Sequence, residues 1–519
     1  MKIWLSLLIA YCTVPVFAEV KLASVFSDNM VLQRQKPVIV RGSAAPGEAV
    51  SVTINGQSQR TNASPQGQWR VQLSAMQAGG PFVLSVCGSN TIELKNIMVG
   101  EVFLCSGQSN MAFLMATIKN AVEEIKNTDN PNLRLLKIPV RFHNIPQTET
   151  SARWIVSKPG VDVKMFSAVA WIMGDKLQKE LKIPVGLIDA SVGATKIESW
   201  ISPDGFNAET TQHKVIRANL DNIKGRDPNS ELHKKLKDAY PAEYAEYQKK
   251  LAELPPFKLD DRSYKAPEPP PPLALIKPAT DKGSYCSLYN AMIHPLAPMT
   301  FRAIIWYQGE ANRGDKNYDK KMQYLWDGWR KVFEQADLPI YFAQIAPFEY
   351  KGAHHSPELW RLQQKFADEN YPAAGMVLTM DVGDLKDIHP ANKRPVGERL
   401  ANMCLVRLFG RKDIICDSPL FGAISLEGQQ ATVTFRNAKT LKTLDGQTPD
   451  NFEIAGKDLN FIHAKSTRIE GNKVIINAGS EIGQIAFVRF AWRNDAQPNL
   501  QNEAGLPAGS FRTDEGTKL

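Results

Sequence analysis

Hydrophobic residues recur in two rhythms along this chain. From Glu19 to about Lys95 they alternate with polar ones in short runs: Val38–Val40, Val50–Ile54, Trp69–Leu73 and Phe82–Val86. Turn residues separate the runs, at Ala45-Pro46-Gly47, Asn55-Gly56, Pro65-Gln66-Gly67 and Gly79-Gly80-Pro81. Successive side chains on a strand point to opposite faces, so this texture predicts a β-sandwich of about 75 residues. It returns from about residue 418, in Ala431–Phe435, Lys473–Ile476 and Ile485–Phe490, and predicts a second all-β domain. The middle differs. Continuous apolar runs at Val102–Cys105, Val185–Ile188, Ala303–Tyr307, Ile340–Ile345 and Met376–Met380 alternate with helical patterns. Runs of this kind suit strands buried on both faces, hence a parallel sheet covered by helices. Residues 208–282 break the pattern. They are charged and helical, then run into Pro267 and Pro269–Pro272, which exclude helix and inner strand. This stretch reads as an insertion, a lid or an interface element. The expected divisions are a leader over 1–18, a β head over 19–95, an α/β middle over 96–417 and a β tail over 418–519.

The leader is Met1–Ala18, one lysine followed by an apolar stretch that ends in Val16-Phe17-Ala18. It reads as a signal peptide cleaved before Glu19, which predicts a secreted or periplasmic protein. No later stretch of about 18 apolar residues occurs, so no membrane span is expected. Across 519 residues, 43% apolar and 22% charged, the composition excludes a mostly disordered chain. The net charge of +8 is interspersed with no dense basic run, so nothing points to nucleic acid. Of six cysteines, Cys12 leaves with the leader. The other five contain no C-x-x-C pair, which argues against a cysteine metal or redox site. One disulfide is compatible with an oxidising compartment, with its pairing open. Cys105 reads as a small buried hydrophobe.

Ligands of open α/β sheets bind beyond the carboxyl ends of the strands. Four apolar runs deliver polar loops there: Ser106–Met111, Asp189–Thr195, Gln308–Asn312 and Asp381–Pro390. Ser109 is a candidate nucleophile, and a serine hydroxyl needs a base. Its surroundings are not the Gly-x-Ser-x-Gly elbow. His389 is the candidate base, because imidazole titrates near neutral pH. Asp387 and Glu310 compete as the acid that orients it. The backbone N–H groups of Ser109 and Gly193, with a side-chain amide from Gln308 or Asn312, are candidate oxyanion donors. This is the inventory for acyl transfer. It calls for no metal or organic cofactor, and the chain has no H-E-x-x-H.

These segments resemble the bacterial and animal sialate O-acetylesterases of the SGNH-type hydrolase superfamily. The resemblance lies in Gly100–Met111, Tyr289–Leu296, Ile305–Asn312 and Asp387–Lys393, and in a tail pattern of Asn499-Leu500, Gly505–Ala508 and Phe511–Thr513. It implies an SGNH-like, flavodoxin-like three-layer α/β domain between β-sandwich domains. It also implies Ser109 as nucleophile and His389 as base, with Gly193 and Gln308–Asn312 completing the site. One position departs: the superfamily often carries its acid three residues before the histidine, where this chain has Lys386. The implied substrate is an acetylated sugar, most readily a sialic acid, and acetylated xylan or pectin is the alternative. A sialate would require a cation for its carboxylate, for which Arg313, Arg361 and Arg394 are candidates. A non-catalytic sugar-binding protein is the rival reading, with Trp306, Tyr307, Trp326, Trp329 and Trp360 as a stacking surface. A secreted peptidase or lipase shares the serine chemistry. The oligomeric state is left open.

Overall fold

The computed structural model describes residues 19–143, 145–207, 230–253 and 282–515. The leader and most of the predicted insertion, its proline run included, lie outside the described residues. Of the insertion, Glu231–Ala252 is a helix.

The fold is mixed α/β with further β-sheet regions at both ends. Its centre is a sheet path of seven strands: β1 Thr91–Gly107, β2 Asn130–Lys137, β3 Ile155–Ser157, β4 Val185–Ser191, β5 Ala303–Tyr307, β6 Ile340–Ala343 and β7 Ala374–Val377. Their order across the sheet is β3-β2-β4-β1-β5-β6-β7. All neighbours are parallel except β3, which runs antiparallel to β2. The continuous apolar runs therefore lie on buried strands, inner ones except for β7, which ends the path. The proline and arginine of Asn130–Lys137 hid β2, and three residues gave β3 no pattern.

Alternate residues of each inner strand enter opposite cores. Phe103, Cys105, Leu187, Ala303 and Ile305 meet Val169 and Met173 of α1 (Ala168–Leu181), and Leu400 and Met403 of α4 (Arg394–Phe409). Val102, Leu104, Ile188, Ile304 and Trp306 share the other core with Trp326 and Trp329 of α2 (Tyr318–Val332), and Leu359 and Phe366 of α3 (Ser356–Glu369). The aromatic residues offered as a sugar-stacking surface all lie inside: Trp306, Tyr307, Trp326, Trp329 and Trp360 are each at most 2% exposed. That reading is corrected, because helix burial claimed these rings for the core. The five described cysteines are unpaired, and Cys105 is fully buried.

The expected boundary near residue 95 falls inside β1. This strand leaves the head, where it pairs with Gly79–Cys87 and Val31–Gln33, and continues without a break into the central sheet. Glu101 fastens the junction. Its fully buried carboxylate accepts from Arg34 Nε at 2.5 Å, Arg302 Nε at 2.6 Å and Gln33 Nε2 at 2.8 Å. Arg34 comes from the head and Arg302 from the residue before β5. In the tail, Leu420–Glu427, Gln430–Arg436, Lys473–Asn477 and Ser466–Glu470 form one antiparallel sheet. Phe452–Ala455, Phe487–Phe490, Phe511–Arg512 and Ile462–His463 form another.

Removing one partner of a buried ion cluster leaves charges uncompensated, so Glu101→Leu is expected to lower stability by about 3 kcal/mol or more. Guanidinium unfolding measures this, and a loss below about 1 kcal/mol would contradict the fastening role.

Candidate active site

Three loops start at one level because three strands end together. Gly107 of β1 is in register with Ser191 of β4 and Tyr307 of β5. The Gln108 N–H donates to Tyr307 O, and the Val192 N–H donates to Gly107 O. Gly107 has φ +142°, and a Cβ there would stand 2.2 Å from Tyr307 O, so the strand can turn out of the sheet here only as glycine. Ser109 follows in the turn, half-buried. Its hydroxyl has no hydrogen-bond partner among the described residues. Gly193 lies directly against it: a Cβ at 193 would sit 3.4 Å from Ser109 Cβ. The backbone N–H groups of Ser109 and Gly193 donate to no described residue. Two free amides beside a free hydroxyl suit a developing oxyanion.

His389 arrives on the loop beyond β7. The Asp384 side chain accepts from the backbone of Lys386 and Asp387, and Asp387 Oδ1 accepts from the His389 N–H at 2.8 Å. These two turns fold the loop so that Asp387 Oδ1 lies 3.7 Å from His389 Nδ1. That separation is a charge contact, longer than a hydrogen bond. With Nδ1 turned to Asp387, Nε2 is the ring nitrogen left to take a proton. Burial and the neighbouring Lys393 lower the imidazole's pKa below its usual value, against the opposing pull of Asp387.

Asn110 joins the two loops. This fully buried amide donates to Ile388 O at 3.1 Å and to Glu310 Oε1 at 2.5 Å, and accepts from Lys393 Nζ at 2.5 Å. The residue after the candidate nucleophile thus holds the residue before the candidate base. Glu310 lies in this network rather than against His389, so the two acids, level by sequence, occupy different places. Burial raises the Glu310 pKa and lowers that of Lys393 to about 7, driving both toward their neutral forms. Lys393 is 1% exposed and also faces the Phe113 ring at 4.6 Å.

Gln308 and Asn312 have a different task from the one expected. Gln308 Nε2 donates to Gln108 Oε1, Thr195 O and Asn312 Oδ1, and its own Oε1 accepts from the Tyr318 hydroxyl at 2.6 Å. Asn312 Nδ2 donates to Glu198 at 2.9 Å. Both amides are buried and engaged, so they shape the turn and present no free donor to the crevice. Gln108, Asn110 and Lys393 stood inside the motifs without an assigned role. No sequence signal marks a lone lysine or asparagine as buried.

Of the three arginines, Arg361 pairs with Glu358 and Glu515, and Arg394 with Glu124 and Glu398. Arg313 makes no ion pair with a described residue and lies over the Tyr350 ring, 3.2 Å from its centre. Among the described residues no group of three or more His, Cys, Asp or Glu side chains is placed to hold a metal, and no helix is long and apolar enough to cross a membrane.

A family model described as a carbohydrate esterase, the sialic acid-specific acetylesterase, matches residues 99–225 and 278–406. The matched segments contain Ser109, Gly193, Glu310–Arg313, Asp387, His389 and Lys393. The chain is 26% identical over 517 residues to sialate O-acetylesterase of Mus musculus, across 91% of this chain and 89% of that protein. It is 25% identical to sialate O-acetylesterase of Homo sapiens, across 96% and 93%. A crystal structure of a carbohydrate acetylesterase from Xanthomonas citri superposes with a TM-score of 0.77 at 28% identity, covering 96% of this chain and all of that one.

The lysine's position has a measurable consequence. Between about pH 7 and its ordinary value of 10.5, the unfolded chain holds a proton at Lys393 that the folded chain has released. This group therefore makes stability rise with pH across that window, by at most about 1.4 kcal/mol per pH unit. Lys393→Met is expected to flatten that rise in urea midpoints taken from pH 7 to 9.5. An unchanged slope would place the lysine's titration elsewhere.

Proposed function

Because the chain belongs to the sialic acid-specific acetylesterase family of carbohydrate esterases, and is therefore a carboxylic ester hydrolase, we propose that it removes O-acetyl groups from sugars through Ser109 and His389. The observation that carries this reading is the free Ser109 hydroxyl against Gly193, with the His389 loop bound to the next residue. In the proposed reaction His389 Nε2 takes the Ser109 proton as Oγ attacks the acetyl carbonyl carbon. The carbonyl oxygen becomes an oxyanion against the N–H groups of Ser109 and Gly193. The tetrahedral species collapses, His389 returns the proton to the departing sugar oxygen, and an acetyl-serine remains. A water, deprotonated by His389, then releases acetate and restores the hydroxyl. Asp387 is the acid beside the imidazole. Glu310 acts through Asn110 as a positioning group.

The most favoured substrate is an O-acetylated sialic acid, and acetylated xylan or pectin is the broader alternative. The similarity to a bacterial carbohydrate acetylesterase supports the broader class. The α/β middle is read as an SGNH-like domain, and the head and tail strands as sandwiches around it. Met1–Ala18 supports export to the periplasm or beyond.

Ser109→Ala is expected to lower aryl acetate hydrolysis by about 1,000-fold or more, and near wild-type turnover in that variant would overturn the assignment. Asp387→Asn is expected to cost less than the roughly 10,000-fold loss of a buried orienting acid, since Asp387 is solvent-exposed and 3.7 Å away. The pH profile separates the neighbours. The base must be neutral, so kcat/KM falls on the acid side with an apparent pKa below 6.5. Removing the Asp387 charge is expected to move that limb to lower pH, and Lys393→Met to move it higher. Shifts in the opposite directions would contradict the placement of His389.

A further inference from the structure

The wall of the crevice between the two loops carries a cation that the proposed hydrolysis leaves without a task. Arg313 directly follows the turn Glu310–Asn312, whose Ala311 N–H donates to Gln108 Oε1 beside Ser109. Tyr350 lies on the segment after β6, where the Glu349 N–H donates to Leu385 O of the His389 loop. Arg313 and Tyr350 therefore meet where the serine loop and the histidine loop face each other. The ring fixes the guanidinium plane from one side. Arg313 Nε and the Tyr350 hydroxyl are both sealed from solvent, and neither has a hydrogen-bond partner among the described residues. Glu310 Oε2, in the same wall, is sealed and unpartnered too. Buried polar atoms without partners are rare, and these three, closed to solvent, call for a trapped water; the Arg313 Nη groups, neither sealed nor bonded to a described residue, are the donors left for a ligand. The other two arginines considered are held by carboxylates. Lys196 and Lys386 are exposed lysines, whose attraction for an anion water and salt weaken.

We propose that Arg313, braced by Tyr350, is the receptor for the substrate's carboxylate, which makes this esterase selective for an acidic sugar over a neutral one. The proposal rests on the acetyl-sugar reading above and sharpens it. A guanidinium offers parallel N–H donors that match the two oxygens of a carboxylate, and a ring that fixes its plane reduces the freedom lost on binding. A sialic acid carries such a carboxylate, whereas the neutral xylose backbone of xylan does not. The group is a specificity determinant, and its effect belongs in KM.

The test compares acetate release from 9-O-acetyl-N-acetylneuraminate with release from the methyl ester of the same sugar, which keeps every atom of the acetyl site and removes the charge. Wild type is expected to favour the free carboxylate by roughly 10–100-fold in kcat/KM, mainly through KM, the scale of hydrogen bonds to a charged group. Arg313→Gln is expected to bring that ratio close to one, and Arg313→Lys to leave it between the two. Equal rates for both sugars in wild type, or an unchanged ratio in Arg313→Gln, would overturn the receptor while leaving the sialate reading intact. Acetate released from acetylated xylan but from neither sialate form would overturn both. If Arg313→Gln does not fold, wild type alone decides through inhibition of aryl acetate hydrolysis. Deacetylated N-acetylneuraminate is expected to inhibit at a concentration at least about 10-fold below that of its methyl ester. Equal inhibition by the two would count against the receptor.

Discussion

Everything at the site depends on one register, the alignment of Gly107 with Ser191 on one side and Tyr307 on the other. The backbone bonds that fix it are those of an inner parallel strand, whose polar groups are buried and must be paired. Because the three strands end level, the loops bearing Ser109, Gly193 and Glu310 begin within a few ångströms of one another. The chain also changes direction here: β2 and β4 lie to one side of β1, and β5 to β7 to the other. In open α/β sheets, ligands bind beyond the strand ends at such a reversal of strand order.

The register alone does not bring the histidine. His389 comes from a loop with no strand pairing of its own, and side-chain chemistry holds it. Asp384 and Asp387 fold the loop on itself, and Asn110 ties it to the serine turn. The arrangement has a physical cost. An amide, a carboxyl and an ammonium are buried together, and the low dielectric that strengthens their bonds also drives both ionisable groups toward neutrality. Burial, with a smaller contribution from Lys393, lowers the proton affinity of His389 and favours the neutral imidazole that a base would need.

The flanking β regions bear on the site through β1. That strand belongs to the head at its start and to the active-site sheet at its end, and Glu101 binds an arginine from either side of the junction. Composition had divided the chain near residue 95, because the alternating pattern becomes a continuous apolar run there. The change is real, but it marks the point where one strand passes from a half-exposed sheet to a fully buried one. A change of burial is not a break in the chain's structure.

The sequence by itself determined the inner strands, whose uninterrupted apolar runs have no other stable use, and the hairpins of the head, where Asn55-Gly56 turns between strands. It also picked out the four loops that carry the candidate residues, since Ser109, Gly193, Glu310 and His389 each follow an apolar run that had to be a strand or strand-like segment. Strands rich in polar residues or only three residues long escaped it, because their pairing is supplied by neighbours and not by their own pattern. Tertiary structure decided the division of labour within the loops. Gln308 and Asn312 have the right amides for an oxyanion, yet their hydrogens are engaged by Gln108, Thr195 and Glu198. Asp387 and Glu310 were equivalent as carboxylic acids, and only their surroundings placed one beside the imidazole and the other beneath Asn110. Three arginines were equally cationic until two proved to be held by carboxylates and one lay open over a tyrosine ring. Residue type fixes what a group can do, and what it does is set by the partners that long-range folding brings within a few ångströms.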